Sequence, residues 1–255
     1  MNGIDRLIFM MEKQSQEMFQ ETLLKISNID VFYGTFQALW DVSLVVKPGE
    51  IVALIGSNAS GKSTLINTIS GVMHPAKGAI EFERQDVSTL TPFQVVTLGI
   101  SQVPEGRRIF PEMTVLDNLM LGSYNRRARS NREQNLKRVY EHFPLLEKRK
   151  NQLAKTLSGG EQQMLVIGRG LMSDPKLMLF DEISLGLAPI VIDELYKALR
   201  EIRARGITIL FVDQNVRRSL KEADRAYIMK AGHIVLGRNV AELQEEEIKK
   251  AYFGV

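Results

Sequence analysis

The chain has 255 residues, of which 44% are hydrophobic and 25% are charged, with a formal net charge of +3 and no cysteine. This is the composition of an ordinary soluble globular protein with one or two domains. It excludes a disulfide framework and thiol chemistry, and no basic run is long enough to argue for a nucleic-acid partner. The three histidines are scattered along the chain and offer no metal site.

The N-terminal part of the chain gives no sign of a membrane anchor. Residues 1–21 are polar and rich in methionine, and we expect them to be a dispensable N-terminal extension. The apolar stretch at residues 7–11 is too short for the hydrophobic region of a secretory signal. No segment of the sequence approaches the roughly 18 consecutive apolar residues of a membrane span. If the protein works at a membrane, another component has to hold it there.

The remaining residues, 22–255, are expected to form one domain that begins with β-structure. We predict strands over residues 24–29 and 38–46, with a turn at Tyr33 and Gly34 between them. A second turn, at residues 47–50, precedes a continuous apolar run at residues 51–55. Such a run is typical of a strand that is buried on both faces of a parallel sheet.

The next residues, 56–64, have the pattern G-x-x-x-x-G-K-[ST], which is the phosphate-binding loop of nucleoside-triphosphate hydrolases. A helix follows, so a bound phosphate would meet backbone N–H groups and the positive end of a helix dipole. Lys62 would add a charge for the β- and γ-phosphates, and the Ser63 hydroxyl could ligate Mg²⁺. The alternative is a simple glycine turn, which does not account for the lysine and the hydroxyl. The candidate binding residues of the loop are Gly56, Ser57, Asn58, Ala59, Ser60, Gly61, Lys62, Ser63 and Thr64.

The middle of the chain is expected to be helical. Short strands at residues 79–82 and 99–103 come first, and the second ends at a proline. Residues 114–143 then have helical periodicity and many charges, and a helix begins at Gly159 and continues through Met172. We therefore predict a helical subdomain, at about residues 104–172, inserted in an α/β core.

The last third of the chain alternates between strands and helices. The predicted strands are at residues 177–180, 207–212, 225–229 and 233–236, and the predicted helices are at residues 190–203 and 216–222 and at the polar C-terminus. Such alternation predicts a parallel sheet with helices around it. The predicted fold class is α/β: a P-loop core with a mostly parallel sheet, an N-terminal antiparallel β-layer and a helical insertion.

Two carboxylates, Asp181 and Glu182, follow the predicted buried strand at residues 177–180. Carboxylates in such a place are costly unless they meet a cation or water, and at the carboxyl edge of the sheet they would face the same crevice as the phosphate loop. Asp181 then suits the Mg²⁺ shell, and Glu182 suits orienting or deprotonating the attacking water. The alternative is a strand followed by an acidic helix cap.

A third motif, Ser158-Gly159-Gly160-Glu161, opens a helix and would form a second anion-binding helix N-terminus. Alone, it would be only a helix cap. The three motifs in this order resemble the ATP-binding subunits of ABC transporters, over about residues 22–254. The resemblance implies a head-to-tail pair of subunits, in which each ATP lies between the phosphate loop of one and Ser158, Gly159 and Gly160 of the other.

The resemblance assigns further positions and also shows departures from the family pattern. Tyr33 matches the aromatic residue that stacks on adenine, although it could be an ordinary tyrosine at a strand end. Glu105 stands where the family usually has a glutamine that contacts Mg²⁺. Gln214 stands where it usually has a switch histidine, and glutamine can donate a hydrogen bond to the γ-phosphate but cannot carry a positive charge. Ala59 and Ile183 replace a common glycine and a common proline.

Residues 103–111, 158–164 and 184–189 together resemble the branched-chain amino-acid uptake branch of this family, and more narrowly the smaller of its two ATPases. In that branch, glutamate at 105 and glutamine at 214 are ordinary. The resemblance implies ATP and Mg²⁺ as cofactors, a second ABC ATPase and two membrane permeases as partners, an extracytoplasmic solute-binding protein, and a peripheral position at the cytoplasmic face of the cell membrane. A homodimer, another solute such as urea or amides, a non-transport ABC ATPase, and a module that binds ATP without turnover stay open.

Overall fold

The computed structural model describes residues 22–253, so the predicted extension at residues 1–21 lies outside the described residues. Within this range, no helix is both long enough and apolar enough to cross a membrane. The strands are β1 (Leu24–Tyr33), β2 (Phe36–Val46), β3 (Ile51–Gly56), β4 (Lys77–Phe82), β5 (Gln85–Asp86), β6 (Ile100–Val103), β7 (Leu177–Asp181), β8 (Thr208–Asp213), β9 (Arg225–Lys230) and β10 (His233–Asn239). The helices are α1 (Lys62–Ile69), α2 (Pro92–Leu98), α3 (Val115–Leu121), α4 (Arg126–Ser130), α5 (Arg132–His142), α6 (Pro144–Lys148), α7 (Gly159–Leu171), α8 (Pro189–Ala204), α9 (Val216–Glu222) and α10 (Glu245–Phe253).

The strands form two sheets. One has the order β2-β1-β4-β5, with antiparallel neighbours throughout. The other has the order β10-β9-β3-β8-β7-β6, in which β9 to β6 are parallel and β10 is an antiparallel edge strand. This arrangement confirms the predicted α/β class, with its mostly parallel sheet and its antiparallel N-terminal layer.

The larger sheet is covered on both faces. Val52 and Leu54 of β3 belong to a core shared with the four-stranded sheet and α1, whereas Ala53 and Ile55 belong to a core shared with α7 and α8. Successive side chains of a strand point to opposite faces, so a central strand between two layers needs an apolar residue at every position. This is why β3 is an uninterrupted apolar run.

Some predicted bounds differ from the observed ones. β1 was predicted to end at residue 29, but it continues to Tyr33, and the turn follows that residue. Asn28 has a left-handed backbone (φ 50°) and the pairing of β1 with β2 shifts in register beyond Ile26, so the strand continues past this irregularity. The short elements β5 and α2 were not predicted from the sequence. A signal for α2 was present, since Thr91 and Gln94 form a capping box and Pro92 is the first helical residue.

The segment between β6 and β7 is helical, as predicted, but it is divided into short helices. Thr114 caps α3, and Asn125 caps α4 with its side chain. The longest of these helices, α7, packs against the others through Gly168, where an added Cβ would lie 2.9 Å from Cγ1 of Val139. Glycine at this position therefore permits the close approach of α5 and α7. The extent of the subdomain, about residues 104–172, stays a proposal.

Candidate nucleotide site

The loop between β3 and α1 turns sharply. Ala59 and Gly61 have left-handed backbones, with φ of 60° and 103°. Gly61 is the N-cap residue of α1, and as a glycine it has no side chain that could accept a hydrogen bond there. The first N–H groups of α1 therefore have no side-chain acceptor at the cap. An added Cβ at Gly56 would lie 2.5 Å from both the carbonyl oxygen of Met229 and Oγ of Ser60, and this Oγ is buried without a hydrogen-bond partner among the described residues. The loop is thus a tight cradle with free donors, as a phosphate site requires.

The ammonium group of Lys62 folds back over this loop. Its Nζ donates to the carbonyl oxygens of Gly56 and Ser57, each at 2.8 Å, and the residue is only 4% exposed. Burial lowers the pKa of Lys62, and the nearby carboxylate of Glu182 opposes this shift. An anion in the loop would give this cation a stronger partner than two carbonyl dipoles.

The strand order places Asp181 beside the phosphate loop. β7 ends at Asp181 and pairs with β8, which in turn pairs with β3. The hydroxyl of Ser63 donates to Oδ1 of Asp181 at 3.1 Å, although the two residues are 118 positions apart. Burial raises the pKa of Asp181, and the negative charge of Glu105 acts in the same direction. The raised pKa means that the ionised carboxylate lacks a compensating positive charge, which a hard cation bound to Asp181 and Ser63 would supply.

Glu182 and Gln214 face each other at the same sheet edge. Nε2 of Gln214 lies 2.8 Å from each carboxylate oxygen of Glu182 and can donate to them. Glu182 has a left-handed backbone (φ 47°), and its N–H donates to the carbonyl oxygen of Val212 on β8 at 3.2 Å. A strained backbone held by its neighbours is common for residues that do chemistry.

Asp213 is a buried carboxylate that holds together the segments carrying Glu182 and Gln214. No role was predicted for it from the sequence. Its Oδ2 accepts from the hydroxyl of Ser184 at 3.1 Å and from the hydroxyl of Tyr196, and its Oδ1 accepts from the N–H of Asn215 at 2.9 Å. Ser184 follows Glu182 closely in the chain, and Gln214 follows Asp213. The cluster therefore ties the two loops that carry the facing side chains.

Most of the predicted binding residues line one cleft of about 880 Å³, although Gly56 and Ser57 of the phosphate loop are not part of its lining. Tyr33 stands at its wall with its hydroxyl 3.3 Å from Oγ1 of Thr64. Two aromatic residues that sequence reasoning missed, Phe36 and Trp40, line the same wall and are exposed. Exposed aromatic residues next to a phosphate loop suit the stacking of a base. The predicted residues among the cleft lining are Tyr33, Asn58, Ala59, Ser60, Gly61, Lys62, Ser63, Thr64, Glu105, Glu182 and Gln214.

The third predicted motif lies elsewhere. Oγ of Ser158 accepts from the N–H of Glu161 at 3.4 Å, and the Glu161 carboxylate accepts from the N–H of Ser158 at 2.9 Å, which completes a capping box at the start of α7. Arg149 also pairs with Glu161 at 3.1 Å. In the part of the chain that the structure describes, neither Ser158, Gly159, Gly160 nor Glu161 lines the cleft. A single chain therefore does not bring this motif to its own phosphate loop.

A glycine loop and a lysine at the carboxyl end of β3, with an acidic pair at the end of β7, define a P-loop nucleoside triphosphatase. A family profile described as ABC transporter matches residues 39–184. The chain therefore belongs to the ABC transporter family, whose ATPase subunits bind and hydrolyse ATP.

Individual relatives agree with this assignment. The high-affinity branched-chain amino acid transport ATP-binding protein BraG of Pseudomonas aeruginosa is 44% identical over 91% of this chain and 100% of its own length. The lipopolysaccharide export system ATP-binding protein LptB of Escherichia coli is 33% identical over 91% of this chain and 97% of its own. A solved ATP-binding cassette of an ABC transporter, in its ADP conformation, is 31% identical and superposes with a TM-score of 0.79 over 90% of this chain and 94% of the other.

Proposed function

We propose that this chain is the ATP-hydrolysing subunit of an importer for branched-chain or related amino acids. The observation that carries the proposal is the convergence of Lys62, the Ser63–Asp181 contact and the Glu182–Gln214 contact at one edge of the sheet. The solute is inferred from similarity, because BraG is 44% identical over its full length whereas LptB is 33% identical.

The donor set next to the phosphate loop fits Mg²⁺. Ser63 and Asp181 would hold the ion, and Glu105, whose charge acts on Asp181, would contribute a ligand directly or through water. Hydroxyl and carboxylate oxygens are the ligands that this cation prefers. This donor set has two carboxylates and one hydroxyl, and residues 22–253 contain no group of three or more His, Cys, Asp or Glu side chains that could hold a metal. When bound, Mg²⁺ would neutralise charge on the β- and γ-phosphates.

Each residue of the site would then have a distinct role in ATP binding or hydrolysis. Tyr33 would stack on the base, and Lys62 with the loop N–H groups would bind the phosphates. Glu182 would orient the attacking water and take its proton at a carboxylate oxygen. Gln214 would keep that carboxylate aimed at the cleft and would turn its amide to the γ-phosphate when ATP is bound.

Pairing with a second ATPase would complete the site. Ser158, Gly159 and Gly160 do not line the chain's own cleft. In the head-to-tail arrangement, they would instead contact the ATP that is bound to the phosphate loop of the second ATPase. The partner would be a different ABC ATPase, although a homodimer is the alternative. Closing of the pair around ATP and reopening after hydrolysis would be the motion that drives transport.

Two permeases would hold the pair at the cytoplasmic face of the cell membrane and receive this motion, with a solute-binding protein on the other side. A groove of about 560 Å³ lies between the sheet and the helical insertion, and the exposed side chains of Phe110, Leu121 and Tyr124 line it. The loop from Glu105 to Phe110 joins the nucleotide cleft to this groove. A permease segment in the groove would therefore be coupled to the γ-phosphate through this loop.

Replacing Glu182 by glutamine tests the catalytic part of the proposal. We expect phosphate release to fall by at least about a hundredfold, because the general base is lost, while ATP binding stays within about twofold. Exposed Glu194, changed to glutamine in the same way, is the matched control and should hydrolyse ATP at the parent rate. Near-parent hydrolysis by the Glu182→Gln chain would remove Glu182 from this role.

Affinity purification of the chain from detergent-solubilised native membranes tests the transport part. Two multi-span permeases and a second ATPase should co-purify, and the solutes bound by the associated binding protein would separate branched-chain amino acids from urea or amides. Recovery of ribosomes or DNA, or of no membrane protein, would instead support a non-transport ABC ATPase.

A further inference from the structure

Arg107 lies in the loop between β6 and α3 and reaches back to the start of α7. Its backbone is left-handed (φ 48°) and follows Gly106 (φ 86°), so the chain reverses at this point. A Cβ added to Gly159 would lie 2.5 Å from Nη1 and 3.0 Å from Cζ of Arg107. The guanidinium group thus rests directly on the backbone of Gly159, and a side chain at position 159 would displace it.

The same guanidinium group also contacts the loop that follows the acidic pair. Nη2 donates to the carbonyl oxygen of Gly186 at 3.0 Å. Arg107 therefore bridges Gly186 and Gly159, which lie in two separate segments of the chain. Gly159 is part of the motif that the proposed pairing turns towards the second ATPase, and Leu185, next to Gly186, lines the chain's own nucleotide cleft.

The charge of Arg107 is not balanced within the described chain. A guanidinium group has five N–H donors, and the structure gives a hydrogen-bond acceptor only to Nη2. None of the carboxylates in residues 22–253 lies within the 4.0 Å ion-pair distance of Arg107. By contrast, Arg149 and Lys155 on the same part of the surface pair with Glu161 and Glu112. The unpaired cation lies next to the positive end of α7, and an anion would relieve both charges.

The position of Arg107 also connects it with the chain's own chemistry. Arg107, Glu105, Glu182 and Leu185 line a small cavity of about 350 Å³. Neither carboxylate forms an ion pair with Arg107, and in the part of the chain that the structure describes Arg107 is not among the lining of the cleft that holds the chain's own phosphate loop. Free donors that are held in place beside an open cavity suit a phosphate, to which arginine binds in a bidentate manner.

We propose that Arg107 is a phosphate-binding residue of the composite site, where it contacts the γ-phosphate of the ATP held by the phosphate loop of the paired ATPase. The inference rests on the proposed head-to-tail pairing. Arg107 then adds to Ser158, Gly159 and Gly160 a positive charge that these residues lack. ATP, but not ADP, would draw the two subunits together through this contact.

The test uses the Glu182→Gln chain as the parent, because slow turnover lets the ATP-bound pair accumulate. Arg107→Ala, Arg107→Lys and Arg107→Gln are compared with Arg108→Ala, in which the neighbouring exposed arginine is removed. Each chain is examined with Mg²⁺ and ATP, alone and with the second ATPase recovered from membranes, by light scattering after size exclusion over a range of protein concentrations. Binding of a fluorescent ATP analogue is measured at a concentration at which the chain is monomeric.

With Arg107→Ala or Arg107→Gln, we expect the ATP-bound pair to form only at a protein concentration about 10- to 100-fold higher, because a hydrogen bond to a charged group is lost. Arg107→Lys should be intermediate, since it keeps the charge without the bidentate geometry. Arg108→Ala should behave as the parent. Affinity of the monomer for the ATP analogue should not change, because Arg107 acts on the partner's nucleotide.

The outcomes separate this inference from the proposed function. If the parent pairs with ATP and Arg107→Ala pairs equally well, Arg107 has no such role and the pairing stands. If Arg107→Ala weakens binding to the monomer, the residue serves its own site and the inference is overturned. If the parent pairs neither with itself nor with the second ATPase, the proposed pairing fails and the inference fails with it.

Discussion

Replacing Tyr196 by phenylalanine is expected to lower the free energy of unfolding by about 2 kcal/mol, the contribution of a hydrogen bond to a charged group. Tyr196 lies on α8, is 2% exposed, and donates its hydroxyl to Oδ2 of Asp213. Burial raises the pKa of Tyr196 far above its ordinary value, and the charge of Asp213 adds to this shift, so the hydroxyl remains a donor at neutral pH. The change removes a hydrogen bond to a buried carboxylate and little else.

The structure limits the size of the effect. A hydrogen bond to a charged group contributes about 1.5–3 kcal/mol. Ser184 and Asn215 still donate to Asp213 at 3.1 and 2.9 Å, so the carboxylate keeps two donors and the cost stays below the upper value. The aromatic ring is retained, and its edge-on contact with Phe211, at 5.7 Å between ring centroids, is unchanged. For a chain of this size, about 2 kcal/mol lowers Tm by about 4–8 °C.

Urea unfolding followed by circular dichroism measures this change, and Tyr140→Phe is the matched control. The hydroxyl of Tyr140 is buried without a hydrogen-bond partner in residues 22–253, so its removal should leave stability unchanged or raise it. Because Asp213 precedes Gln214, we also expect Tyr196→Phe to lower kcat with little change in KM. A loss of stability below about 0.5 kcal/mol would show that the hydroxyl does not stabilise the carboxylate and would refute the reasoning.

Three further substitutions test the site. Asp181→Asn should reduce Mg²⁺-dependent hydrolysis by at least about a hundredfold, yet raise the Tm of the nucleotide-free chain at pH 7. The pKa of Asp181 is raised in the folded state, so its ionisation costs stability as pH rises through that pKa, and the gain in Tm should vanish in acid, where the carboxyl group is protonated. Gly56→Ala should cost about 1–3 kcal/mol and abolish binding of a fluorescent ATP analogue, because its Cβ meets the carbonyl oxygen of Met229 at 2.5 Å. Gln214→His should raise the rate of phosphate release severalfold, since a histidine can carry a positive charge to the γ-phosphate, and an unchanged rate would count against a weakening role for Gln214.

The parts of the candidate site that lie in short, local motifs could be predicted from sequence. The phosphate loop needs a strand, glycines, a lysine, a hydroxyl and a helix in immediate succession, and residues 51–70 contain all of them. The acidic pair follows another buried strand, and the carboxyl ends of parallel strands meet at one edge. The observed 3.1 Å contact between Ser63 and Asp181 is the expected result of that rule.

Other contributors could not be found in this way because their partners are distant in the sequence. Nothing near Tyr196 in the chain indicates that its hydroxyl meets Asp213, and nothing near Arg107 indicates that it rests on Gly159. In the sequence, Phe36 and Trp40 are ordinary strand residues, and only the packing of the folded chain places them at the cleft. Each of these contacts depends on how whole elements are placed, which periodicity does not encode.

The sequence by itself determined the kind of fold and the chemistry of the nucleotide site, because hydrophobic period and motif spacing act over a few neighbouring residues. The tertiary structure alone decided which elements meet. The insertion of β3 between β8 and β9 brings the phosphate loop beside Asp213 and the β9–β10 turn, and the packing of α7 leaves Ser158 away from the chain's own cleft. These placements result from burying both faces of one sheet at once, a condition that involves the whole domain and no single segment of it.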